Sequence, residues 1–173
     1  MVFHISKAVK NDAAELSYLV NSAYRGDSSR KGWTTEADLL DGTRTTPELL
    51  EETLEKEDTT ILKYMEGGKI LGCVELRLDV NRLYLGMLTV SPTLQGKGIG
   101  KIMLDASEAE AKKQGCGAIY MTVISVRKEL IEWYKRRGYQ ETGHRKPFVV
   151  PDKRWGIPKL NMEFIFLEKL IVN

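Results

Sequence analysis

Apolar and polar residues alternate over 2–8, which predicts a first strand. Helical spacing takes over at Leu16, Leu19, Val20 and Ala23, behind a capping-box pattern of Asn11-Asp12 with Glu15. The stretch 24–45 is polar and rich in Gly, Ser and Thr, with room for a short helix over 34–40. Thr46-Pro47 fits an N-cap and first helical position for a helix through Lys56. Strand patterns follow over 59–66, 69–78 and 82–90. Gly67-Gly68 marks a hairpin between the first two, and 79–81 a turn before the third. Over 99–114, Ile99, Ile102, Met103, Ala106 and Ala109 share a helical face, Lys112 and Lys113 suit its C-terminus, and Gly115 or Gly117 ends it. The run 118–124 is nearly all apolar, as a central strand buried on both faces would be. Ser125 can cap a helix reaching Arg137, with Gly138 just beyond. A strand start over 139–142, a proline-bearing loop over 144–159 and an aromatic-containing strand over 160–170 complete the chain. The order β-α-α-β-β-β-α-β-α-β-β predicts one mixed α/β domain over 1–173.

Gln95-Gly96-Lys97-Gly98-Ile99-Gly100 joins the third strand of that group to the helix that follows. A strand, a glycine-rich turn and a helix N-terminus in series converge backbone N–H groups on one point, where the macrodipole favours an anion. Glycines let a ligand approach without Cβ clashes. A dinucleotide fingerprint needs glycine spacings of two and three, whereas these are two and two, and no acidic strand end follows about 20 residues on. A nucleoside-triphosphate loop needs Ser or Thr after Gly-Lys, whereas Ile102 follows Gly100-Lys101. The plain alternative is a tight connection that binds nothing.

Leu88-Thr89-Val90-Ser91-Pro92 followed by Gln95 to Gly100 resembles the signature of the GNAT superfamily of N-acetyltransferases, Q/R-x-x-G-x-G/A after an L-x-V-x-P strand end. Trp133-Tyr134-Lys135-Arg136-Arg137-Gly138-Tyr139 is similar to that family's Y-x-x-x-G-[FY] segment, and the element order fits over nearly the whole chain. The resemblance implies an α/β (α+β mixed) fold with a mostly antiparallel sheet, splayed at the cofactor site and flanked by helices. It implies acetyl-coenzyme A as co-substrate, no metal, and an amine acceptor, small molecule or peptide. The diphosphate would lie on the amides of Gln95, Gly96, Lys97, Gly98, Ile99, Gly100 and Lys101. Pantetheine would run along Leu88, Thr89 and Val90, with the Leu88 N–H polarising the thioester carbonyl. Tyr134 would protonate the departing thiolate. Leu130, Ile131 and Tyr134 also share helical spacing, so a core aromatic is the other reading of Tyr134.

The family's carboxylate on the strand before the glycine turn is missing from 85–89. Glu75 is the nearest substitute as base, unless it is an exposed strand residue; His144 or water are the alternatives. Arg127 stands where many members have asparagine, and either meets a cofactor phosphate or caps solvent. The acceptor would lie among Arg25, Arg30, Trp33, Asp38 and Arg44, with Phe148 and Trp155, a set suited to a small acidic or aromatic amine. Alternatively Trp33 and Trp155 pack their loops onto the core. A non-catalytic acetyl-coenzyme A sensor and a transferase of another acyl chain are the competing functions.

Composition narrows the partners. In 173 residues, 42% are hydrophobic, 29% charged and the net charge is +2, which makes no case for nucleic acid. The clusters Lys135-Arg136-Arg137 and His144-Arg145-Lys146 read as a helix end and a solvated loop, or as help for an anionic ligand. Cys73 and Cys116 are far apart and form no CxxC pair, so inert core thiols are expected. No leader-like apolar stretch opens the chain and no apolar run nears the ~20 residues that span a bilayer, so no membrane partner and a cytoplasmic location are expected. Phe164-Ile165-Phe166-Leu167 is either a core strand or the seam of a homodimer.

Overall fold

A computed structural model describes residues 2–149, 154, 156–159 and 161–172. The chain opens with β1 (Phe3–Lys7), α1 (Ala13–Tyr24), a single turn α2 (Gly26–Ser29), β2 (Leu40–Asp41) and α3 (Pro47–Leu54). A meander follows: β3 (Thr59–Glu66), β4 (Lys69–Asp79) and β5 (Arg82–Val90). Then come α4 (Ile99–Lys113), β6 (Ala118–Ile124), α5 (Lys128–Lys135), β7 (Gln140–Pro147), β8 (Ile157–Pro158) and β9 (Glu163–Leu170). Among the described residues, seven strands form one sheet in the order β1-β3-β4-β5-β6-β9-β7, and β2 pairs with β8 in a small second sheet. Neighbours in the large sheet run antiparallel except β5 and β6.

Helices cover both faces. Ile99, Met103 and Leu104 of α4 and Ile131 and Tyr134 of α5 pack with Leu83, Leu85, Ile119 and Leu167. On the other face Leu16, Leu19 and Val20 of α1 and Leu50 of α3 pack with Ile61, Cys73 and Met87. Burying both faces explains why β6 carries an almost unbroken apolar run.

Two features of β5 open the sheet. It pairs with β6 over Arg82–Tyr84 alone, against Ala118–Tyr120, and beyond Tyr84 the two strands part. Against β4 its register slips: Cys73 faces Thr89, but Glu75 faces Gly86, so β5 holds one residue more than its partner. That residue is a bulge, and Met87 takes φ 55°, which a side chain disfavours. The bulge shifts the alternation of β5 by one residue. Leu83 and Leu85 point toward α4, Met87 toward α1, and Leu88 and Val90 toward α4 again.

Several expectations are corrected. The capping box does not form. Asp12 accepts hydrogen bonds from the Val9 N–H and Lys63 Nζ, both 2.8 Å, while Glu15 accepts from the Ile70 N–H at 2.9 Å, so a 3₁₀ turn over Lys10–Asp12 leads into α1 instead. Residues 34–40 make no helix because their side chains take over the backbone: the Ala37 N–H donates to Thr35 Oγ1 at 3.0 Å. The expected cap at Thr46 is present, its Oγ1 accepting from the Leu49 N–H at 3.2 Å, but α3 ends at Leu54. The Ser125 N–H donates to the Glu163 carbonyl at 2.9 Å, which keeps the chain tied to the sheet there, and α5 starts at Lys128. The stretch expected as a loop over 144–159 begins as the end of β7 and includes β8. β9 lies between β6 and β7 with both edges paired, so it is a core strand and not a seam between two copies.

Candidate active site

The gap between β5 and β6 becomes a cleft of two adjoining cavities with shared walls. One, of about 490 Å³, runs from the glycine turn along Leu88, Thr89 and Val90 to Tyr134. The other, of about 350 Å³, lies between Gly86–Leu88 of β5 and Met121–Ile124 of β6, closed by Phe148 and Phe164. Tyr24, Leu88, Arg127, Leu130 and Tyr134 wall both.

The glycine turn has the geometry of an anion cradle. Gly96 and Gly98 have φ of 82° and 88°, values that glycine alone adopts without strain. A Cβ at either position would meet no atom within 4 Å, so the turn faces open space. Gly98 is the N-cap of α4 and no side chain caps the helix, which leaves its first amides for a ligand. Gly100 serves packing instead: a Cβ there would come 3.2 Å from the Trp133 ring. Lys101, Arg136 and Arg137 wall the same cavity. The Arg137 guanidinium lies 3.9 Å over the Trp133 ring and donates to the Trp133 carbonyl at 3.0 Å, while its buried Nε has no partner. Helix amides, three cations and an orphaned guanidinium nitrogen suit a diphosphate-bearing group.

Gln95 holds the turn to the rest of the cleft. Its amide donates to the Val90 carbonyl at 3.1 Å and accepts from the Trp33 N–H at 3.0 Å. Residue 32 must be glycine for this contact, since a Cβ there would fall 2.2 Å from Gln95 Oε1.

The junction is built from α1 and α5. Tyr24, the last residue of α1, donates its hydroxyl to the Leu88 carbonyl at 2.7 Å. Burial pushes its pKa up to about 12. Tyr134 is 5% exposed and stands edge-on to Trp133 and Tyr139. Burial raises its pKa well above the phenol range, so the hydroxyl keeps its proton throughout neutral pH.

Beneath Tyr24 runs a buried charge network. Glu36 accepts from Arg25 Nε at 2.9 Å and from Arg127 at 3.1 Å. Arg25 also donates to the Thr43 carbonyl, at 3.1 Å, and Arg127 to Thr34 Oγ1, at 2.7 Å. Thr34 in turn donates to Glu129 on α5 at 2.9 Å. Arg127 is 6% exposed and so is not a solvent cap, and its Nε, like that of Arg137, has no hydrogen-bond partner among the described residues. It is a strut that ties residues 25–45 to the start of α5.

The cleft gathers most of the residues singled out from the sequence. Leu88, Thr89, Val90, Gln95, Gly96, Gly98, Gly100, Lys101, Trp33 and Tyr134 wall the first cavity and Arg25 the second. Lys97 is exposed, and the Ile99 side chain belongs to the core. Arg30 walls neither cavity and pairs with Asp38 at 2.6 Å. Glu75 also walls neither; it faces Gly86 across the ladder, and burial raises its pKa against the pull of Arg44 and Arg77. The His144 ring lies tilted against Phe166, ring centres 4.6 Å apart, and walls neither cavity. Trp155 lies outside the described residues. Tyr24 was missed, since a tyrosine ending an amphipathic helix carries no signal. Arg136 and Arg137 were visible only as a basic cluster with two readings.

The sequence model of the Acetyltransferase (GNAT) family matches residues 29–139, which holds the glycine turn, both cavities' strands and Tyr134. An IAA acetyltransferase of Azospirillum brasilense is 27% identical over 99 residues, covering 56% of this chain and 65% of that protein. The uncharacterized protein YdhI of Bacillus subtilis (strain 168) is 29% identical over 75 residues, 43% of this chain and 46% of that one. The chain therefore spans less than two thirds of either relative. Among solved structures, the ribosomal-protein-S18-alanine N-acetyltransferase from Escherichia coli superposes with TM-score 0.73 at 14% identity, over 99% of this chain and 96% of the other. The Salmonella typhimurium protein yncA, solved with its cofactor acetyl-CoA, superposes with TM-score 0.70 at 18% identity, over 100% and 96%. At such identities the likeness is one of fold. With the family match over more than half its length and a cleft built from the matching residues, the chain belongs to the GNAT acetyltransferase family.

Proposed function

We propose that the protein is an acetyl-coenzyme A-dependent N-acetyltransferase that moves the acetyl group directly to a primary amine, with Tyr134 as general acid. The carrying observation is the single cleft: an uncapped helix N-terminus with Arg136 and Arg137 at one end, a second cavity at the other, and Tyr134 on the wall of both. Backbone amides of the turn Gln95 to Lys101 hold the diphosphate, and the separated edge of β5 at Leu88 to Val90 holds the pantetheine. When bound, acetyl-coenzyme A supplies the acetyl group as a thioester and departs as a thiol. Tyr134 holds the proton that the departing sulfur requires. Tyr24 anchors the Leu88 carbonyl and so steadies residue 88, whose own N–H, in the preceding peptide, faces the reacting carbonyl in this reading.

Among the described residues that wall the cleft, the sole carboxylate is Glu36, and both its oxygens are engaged by arginine. The acceptor's proton therefore leaves to water rather than to Glu75. The same observation favours a second reading, a non-catalytic acetyl-coenzyme A-binding module. One experiment separates them: calorimetry with acetyl-coenzyme A, followed by free-thiol detection over a panel of amines. Binding with thiol release supports the transferase. Binding without release from any amine leaves the module, and no binding removes both. For a competent acceptor, the acidic limb of the pH–rate profile tracks the amine's own pKa and survives Glu75→Gln.

A further inference from the structure

The second cavity carries more positive charge than the fold uses. Arg25 and Arg127 are balanced by Glu36, and Glu129 stands 4.0 Å from Arg127 Nε. Arg44 and Lys146, on its walls, are different. Among the described residues, neither has an acidic partner. Arg44 is half-buried with its guanidinium 5.5 Å from the Tyr24 ring centre. Lys146 Nζ lies 5.5 Å from the ring centres of both Phe164 and Phe166. Glu75 on β4 feels the charge of Arg44 but, among the described residues, forms no ion pair with it. A partly buried guanidinium with free donors suits a carboxylate, which it can grip through two parallel hydrogen bonds. A second ammonium group there would instead meet two unbalanced cations in a medium that weakens like-charge repulsion less than water does.

Position adds chain length to the argument. The Tyr24 ring underlies Arg44 while its hydroxyl bonds to Leu88 at the junction of the cavities. The free cation and the reacting position are thus one tyrosine side chain apart.

We infer that the acceptor is an amine that also bears a carboxylate, an amino acid of short backbone spacing, with the carboxylate seated on Arg44 in the field of Lys146. This rests on the acetyl-transfer reading. The aromatic pair Phe148 and Phe164, whose ring centres are 4.8 Å apart, gives the rest of the acceptor an apolar wall.

The test measures thiol release under saturating acetyl-coenzyme A with α-, β- and γ-amino acids, their primary amides and simple diamines. An amide lowers the basicity of its neighbouring amine and so raises the reactive fraction; intrinsic reactivity favours the amide, and preference for the acid reports the cavity. The best acid exceeds its amide in kcat/KM by about tenfold or more, and diamines fall lowest. Arg44→Gln lowers kcat/KM for acids by about tenfold to a hundredfold, mainly through KM, and brings the acid-to-amide ratio toward one. Should that variant fail to fold, Lys146→Gln on the exposed β7 gives the same change of ratio, smaller in size. Amides or diamines that match the acids in the unaltered protein overturn the inference and leave acetyl transfer standing. Thiol release from no amine at all overturns both.

Discussion

At the scale of single residues, the cleft is held by side chains whose partners lie far off in sequence. Tyr24 meets Leu88, Gln95 meets Trp33, and Arg127 meets Glu36 across 91 positions. Such pairs leave no local pattern, so the buried tie between Arg127 and Glu36 carried no signal in the sequence. Tyr134 was legible because it stands at a fixed offset from Gly138-Tyr139. Its burial sets its chemistry, since a phenol kept from water holds its proton. Tyr134→Phe should therefore lower kcat by about a hundredfold or more if the hydroxyl is the proton donor. The affinity for acetyl-coenzyme A, read by calorimetry, should stay within about twofold, because the phosphate end of the cleft is untouched. An unchanged kcat in a folded variant would return Tyr134 to the rank of a core aromatic.

At the scale of elements, strands and helices with unbroken periodicity were readable, and so was the glycine turn. Gly96 and Gly98 are required by their positive φ, and Gly100 by the Trp133 ring. Gly98→Ala should cost about 1–2 kcal/mol through the left-handed backbone and weaken acetyl-coenzyme A about tenfold. Paired thermal melts and titrations would show it; full affinity in the variant would mean that the turn does not need its left-handed N-cap. The bulge in β5 was not readable. Leu83, Leu85 and Met87 alternate as an ordinary strand would, and buried and half-buried positions alternate through Val90. Only the slip against β4, a long-range property, reveals that Met87 faces the other side. The polar span 24–45 was opaque for a related reason. Its conformation comes from Thr34, Glu36 and Asn21, the last accepting from the Arg44 and Thr45 N–H groups at 2.7 and 3.1 Å, and not from any period of its own.

At the scale of the whole molecule, burial of neutral acids sets the response to alkali. Burial lifts Tyr24 to about 12 and Cys73 to about 12, and raises Tyr134 and Tyr139 as well, from ordinary values of 10.0 for the phenols and 9.0 for the thiol. These groups keep their protons in the folded state after the unfolded chain has lost them. Their contribution to stability is complete below about pH 9 and drains away above it, by up to about 1.4 kcal/mol per pH unit for each group. Urea midpoints should thus hold steady from neutrality to about pH 9 and fall steeply by pH 11; a level profile to pH 11 would contradict the burial of these hydroxyls. The architecture also bears on how β5 tolerates change in length. Because the supernumerary residue returns Leu88 and Val90 to the face already taken by Leu83 and Leu85, deleting Met87 would leave both toward α4. It would remove the Met87 side chain from the cluster around α1 and restore an unbroken register against β4. A single codon thus separates a bulged β5 from a regular one without changing which of its leucines and valine face α4.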